Sequence, residues 1–149
     1  MRRWPVLLLL PLALGCTDPS ERLADQLFNQ SLALWQSSKP ANYTFELELS
    51  CFCPADATGD PVVMVVQNGS VVSRTYTSNG TAVPAQLEAE FPGIDALFAM
   101  IQTARSQGWY EVQAAYDGTY GFPTDVGLNQ TPGATSDDRV YAVRQFTPQ

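Results

Sequence analysis

Between Tyr43 and Cys53 the chain alternates: Tyr43, Phe45, Leu47, Leu49, Cys51 and Cys53 are apolar or thiol, whereas Thr44, Glu46, Glu48 and Ser50 are polar. A period of two sends successive side chains to opposite faces of a strand, so the segment predicts a strand with one face, including both cysteines, toward a core. Pro54 stops it. A polar stretch to Asp60 leads into Val62 to Val66, then Gln67-Asn68-Gly69-Ser70, then Val71 to Tyr76. Asn-Gly between two valine-rich runs is a hairpin signal, because a tight two-residue turn needs positive φ at both positions.

The period changes to that of a helix on either side of these strands. Asp18-Pro19-Ser20-Glu21 reads as a helix start, with Asp as N-cap, proline at the first helical position and Glu closing a capping box. The helix should run to about Ser37, with Leu23, Leu27, Leu34 and Trp35 on its apolar face, Phe28 and Leu32 widening it, and Lys39-Pro40 ending it. After a proline-interrupted segment, Ser78 to Pro92, a second helix is expected from Ile94 to Gln107, with Leu97, Phe98, Ile101 and Ala104 on one face and Gly108 as its stop. Strands follow at Trp109 to Tyr116, Thr124 to Asn129 and Arg139 to Phe146, the last two separated by the polar loop Gln130 to Asp138. The fold class is therefore α+β: antiparallel strands in two three-stranded runs, a covering helix between them and an N-terminal amphipathic helix. Phe45, Leu47, Leu49, Leu97, Phe98 and Ile101 should meet in one core.

The chain begins with Arg2-Arg3, an apolar run from Trp4 to Leu14 broken only by prolines, and Gly15-Cys16. That is the layout of a bacterial lipoprotein signal, in which the residue after the cut is the cysteine that carries the lipid. The competing reading is an uncleaved anchor, but about eleven apolar residues fall short of the roughly 20 that span a bilayer. Ala13-Leu14-Gly15-Cys16 resembles the lipobox, with Ala13 where leucine is usual and Leu12 and Leu14 beside it. The organisation expected is a signal peptide over residues 1–15, a lipidated N-terminus and amphipathic helix over 16–40, and one α+β domain over 41–149. Two or three acyl chains on Cys16 make a stable anchor where one would not. The first partner expected is thus a membrane, on the extracytoplasmic side of the cell envelope. Thr17 is not the aspartate that retains lipoproteins at an inner membrane, so an outer membrane is permitted where there is one.

Charge removes a class of partner. With 8 basic and 15 acidic side chains the net charge is −7, and losing Arg2 and Arg3 with the signal makes the mature chain more acidic. Such a surface repels nucleic acid and anionic headgroups. Histidine is absent, which removes Ser-His-Asp and Cys-His catalysis and most catalytic zinc sites. A Ser-Lys dyad would depend on Lys39, the sole lysine, beside Pro40. The ten glycines are scattered singly and form no phosphate-binding loop, and Asp137-Asp138 lacks the rest of a calcium loop. No enzyme activity, catalytic residue, metal site or cofactor is expected.

Two groups of residues remain as candidates. With Cys16 acylated, Cys51 and Cys53 are an even pair in an exported chain and are expected to form a disulfide. In an extended strand their α-carbons would stand roughly 6.5 to 7 Å apart, so the bond needs a bulge or kink at Phe52 or Pro54. Two reduced core thiols, or a copper or zinc site recruiting Met64, Met100 or carboxylates, are the alternatives. The second group is the turn from Tyr116 to Thr124. Asp117-Gly118 and Gly121 supply its conformations, Pro123 stiffens it, and Tyr120 and Phe122 either seal the core or, with Tyr116, Asp117, Gly121 and Pro123, form a partner-binding patch.

Cys51-Phe52-Cys53-Pro54, the helix opening Ile94-Asp95-Ala96-Leu97-Phe98, and Tyr116-Asp117-Gly118-Thr119-Tyr120-Gly121-Phe122-Pro123-Thr124 occur in that order behind a lipobox. In this the chain resembles an uncharacterised family of small bacterial lipoproteins and exported proteins, domain-of-unknown-function family 6174, over about Trp35 to Phe146. The resemblance implies the fold and an envelope location and carries over no catalytic residue. The expectation is a non-enzymatic envelope lipoprotein that binds or assists another envelope component. A thiol or soft-metal protein using Cys51-Phe52-Cys53, and an inhibitor of an exported hydrolase, are the alternatives.

Overall fold

The alternating segment forms β1, Tyr43–Cys51, with Tyr43, Phe45, Leu47 and Leu49 all buried. In the computed structural model, which describes residues 18–53 and 57–149, β1 is followed by β2 (Val62–Gln67) and β3 (Ser70–Tyr76). Asn68 and Gly69 join these two with φ of 50° and 75°, as the hairpin reading requires. The expected signal peptide, Cys16 and the strand stop expected at Pro54 lie outside the described residues.

Two α-helices flank this meander in sequence: α1, Pro19–Ser38, and α2, Ile94–Ser106. Asp18 caps α1 by accepting from the backbone N and Oγ of Ser20 at 2.9 and 2.7 Å, which holds its carboxyl below the usual aspartate range. A short 3-10 helix, Ala85–Glu90, precedes α2; β4 (Glu111–Tyr116), β5 (Pro123–Asn129) and β6 (Arg139–Pro148) complete the chain.

The fold is α+β as expected, but the two runs of strands are one sheet. Its order is β3-β2-β1-β6-β5-β4, antiparallel throughout. The runs meet where β1 pairs with β6, with Leu47 opposite Val143 and Leu49 opposite Tyr141. All four side chains are buried. Separate runs would leave the flanks of β1 and β6 with unpaired backbone groups and split the apolar face, whereas this seam satisfies both.

Phe45, Leu47, Leu49, Leu97, Phe98 and Ile101 do share one core cluster. Leu49→Ala and Ile101→Ala each remove a fully buried side chain and should cost about 2–5 kcal/mol, read from urea melts. Wild-type midpoints for both would undo the helix-on-sheet arrangement.

The face of α1 requires a correction. Phe28 and Trp35 are buried and Leu32 packs at the margin, but Leu23, Leu27 and Leu34 are 57%, 47% and 37% exposed. The helix is rolled so that Trp35 points into the core. There its indole meets the rings of Tyr43, Phe122 and Phe146. A break in register on β6 helps build this pocket. Gln145 takes φ of 51° where the β1–β6 pairing shifts, and the extra residue brings Phe146 to the core side in place of Gln145.

Candidate functional site

The structure brings the six residues of the predicted turn together, mostly against the domain itself. Asp117 organises it: Oδ1 accepts from the backbone N of Thr119 and Tyr120 at 2.9 and 2.6 Å. The Asp117 backbone N donates to Phe122 O at 2.8 Å, and Gly121 N donates to Asp117 O at 3.0 Å. Gly121, Phe122 and Pro123 are buried. Phe122 stacks on Phe146 at 4.5 Å, Tyr120 tilts against Phe146 at 5.1 Å, and Tyr116 stacks on Phe98 at 6.0 Å. Ser38 of α1 donates from Oγ to Tyr120 O at 3.2 Å. The turn thereby joins the sheet to α1, and Gly118 and Thr119 are its exposed part.

Cys51 and Cys53 are joined by a disulfide with α-carbons 5.2 Å apart. The short separation arises because β1 ends at Cys51 and the chain bends at Phe52 and Cys53, the kink the spacing demands. Phe52 is thrown outward, 82% exposed, while both cysteines pack against the edge of the core. Such a small loop restrains the unfolded chain little, far less than the about 3 kcal/mol attributed to a 15-residue loop. Cys51→Ser with Cys53→Ser should therefore fold with a modest loss of melting temperature. Intact mass spectrometry of the wild type under non-reducing conditions should give the mass of a disulfide. Two alkylatable thiols would overturn the pairing.

A third feature, missed in the sequence, lies where α1 passes the end of α2 and the edge strand β4. Arg105, in the last turn of α2, donates from one guanidinium nitrogen to Ala24 O and Asp25 Oδ1, both at 3.0 Å, and lies 5.1 Å from the centre of the Phe28 ring. It thus ties the two helices together, from the end where the helix dipole favours a cation. Around it a cleft of about 350 Å³ is lined by residues including Glu21, Ala24, Asp25, Trp109 and Tyr110. A groove of about 240 Å³ includes Ala24, Leu27, Arg105, Val112, Ala114 and Tyr116. The Tyr116 hydroxyl is buried without a hydrogen-bond partner, and burial raises its pKa against the opposing pull of Arg105. The signal in the sequence was Leu27, which helical spacing puts on the apolar face of α1 and which lines the groove.

The cleft mixes the carboxylates of Glu21 and Asp25 with aromatic side chains, the groove beside it is more apolar, and the guanidinium between them is already engaged. Among the described residues no three His, Cys, Asp or Glu side chains converge to hold a metal ion. Residues 27–148 match a family described as a family of unknown function, DUF6174. No curated protein and no solved structure matches the chain.

Proposed function

The match takes in most of the chain, so the protein belongs to the DUF6174 family of unknown function, and from that premise we propose that it is a cell-envelope lipoprotein, acylated on Cys16, whose domain binds or assists another envelope component without catalysis. The observation that carries this reading is the place of Cys16. It ends a short apolar run behind two arginines, and only Thr17 separates it from Asp18, the N-cap of α1. The helix that receives the anchor is itself locked to the sheet through Trp35 and to α2 through Arg105. Among the described residues no helix is long and apolar enough to cross a membrane, so in this reading Cys16 carries the attachment.

The absence of histidine and the acidic net charge support a non-catalytic role away from nucleic acid. Cys16→Ala is expected to abolish incorporation of a labelled fatty acid and to leave an unprocessed precursor. The wild type should be labelled, shortened and recovered with membranes. A Cys16→Ala protein labelled and processed like the wild type would refute the assignment.

A further inference from the structure

The flank of α1 that carries Leu23, Leu27 and Leu34 stands outside the core, although its three leucines recur at helical spacing over about 16 Å of helix. The residues that share it, Ser20, Gln26, Gln30 and Ser31, are uncharged. Glu21, Arg22 and Asp25, the charged residues of α1, project elsewhere around the helix. An uncharged leucine-bearing flank on so acidic a chain is a surface that can approach lipid headgroups without charge repulsion.

Its position indicates what covers it. With Thr17 alone between Cys16 and the N-cap, and about 3.6 Å at most per extended residue, α1 begins within roughly 10 Å of the acylated cysteine. Leu23 follows in the second turn.

We infer that this flank of α1 seats on the bilayer that holds Cys16, so that the helix lies along the membrane surface. The inference rests on the lipoprotein reading and adds to it a fixed orientation: the acyl chains hold the protein to the bilayer, and the amphipathic flank sets which side of the domain faces it. The domain is then held against the membrane by one side of α1.

The test uses the full chain, processed and acylated in its own export route and reconstituted in phosphatidylcholine vesicles. Leu27→Cys and Asn29→Cys are labelled without reductant with a polarity-sensitive dye, the parent protein serving as blank. Both positions are exposed in one turn of α1, but on different flanks, so distance from the anchor is matched. The Leu27→Cys label should shift to shorter wavelength and lose most of its emission to a quencher carried on the lipid chains, and the Asn29→Cys label should do neither. Labels at both positions reporting water would overturn the inference, as would shielding at Leu27→Cys without lipid-borne quenching, which would mean that a second copy or another protein covers the flank. Intact mass separates the two levels: an unacylated Cys16 refutes the lipoprotein reading and this inference together, whereas an acylated protein with both labels in water refutes the orientation alone.

Discussion

Trp35→Ala is expected to destabilise the domain by about 3–5 kcal/mol, among the largest effects of a single substitution in this chain. The indole is fully buried and stands edge-on to Tyr43, Phe122 and Phe146 at centroid distances of 5.5, 6.2 and 6.0 Å. These rings come from β1, from the turn before β5 and from β6, so truncation empties the junction of three parts of the sheet. The Nε1–H also donates to Asp95 Oδ1 at 2.7 Å, and Lys39 pairs with the same carboxylate at 2.9 Å. Asp95 is half exposed, so water takes over much of that bond when the indole is lost, and the packing term dominates. Trp35→Phe, which keeps a ring and loses the donor, should cost less than the alanine variant. Urea denaturation decides the point: a wild-type midpoint for Trp35→Ala would show that α1 is not joined to the sheet through this side chain.

Gly121→Ala should be nearly as damaging although it adds only a methyl group. Gly121 sits at φ of +84°, a conformation that costs an L residue about 1–2 kcal/mol. The added Cβ would also collide with Ser31 O and lie 2.9 Å from Trp35 N, both backbone atoms of α1. Overpacking of this kind adds about 1–3 kcal/mol. Gly133 supplies the control, since it has φ of +76° but open space where a Cβ would stand. Gly133→Ala should show the conformational cost alone, and the excess at Gly121 measures the approach of α1. Equal losses for the two would mean that the turn does not press on the helix. Because Trp35 and Gly121 act on the same junction, the double variant should lose less than the sum of the single losses.

The relation between sequence and structure differs from one element to the next. Asn68-Gly69 was legible because the turn depends on two residues that tolerate positive φ, and the structure places both there. The alternation in β1 and the apolar face of α2 were legible for the same kind of reason, a periodicity carried by neighbours in the chain. The disulfide followed from an even pair of thiols and a strand end, although the kink that permits it falls one residue after β1 stops. The family assignment over residues 27–148 agrees with the resemblance seen in the cysteine, helix and turn motifs.

What sequence alone determined was local: which segments are strands and which are helices, and where the hairpin turns; its resemblance to a lipobox at Ala13-Leu14-Gly15-Cys16 motivates the proposed anchor. The tertiary structure decided that β1 and β6 join two runs into one sheet, that Gln145 yields its place to Phe146, and that α1 buries Phe28 and Trp35 while leaving Leu23, Leu27 and Leu34 outside. The physical reason is the range of the interactions. A period of two or 3.6 residues is set by the backbone and states that a face is apolar. Which edge of that face is covered depends on the shape of surfaces far away in the chain: a pocket for one indole, a carboxylate at Asp95, and a glycine at Gly121 that lets two backbones touch.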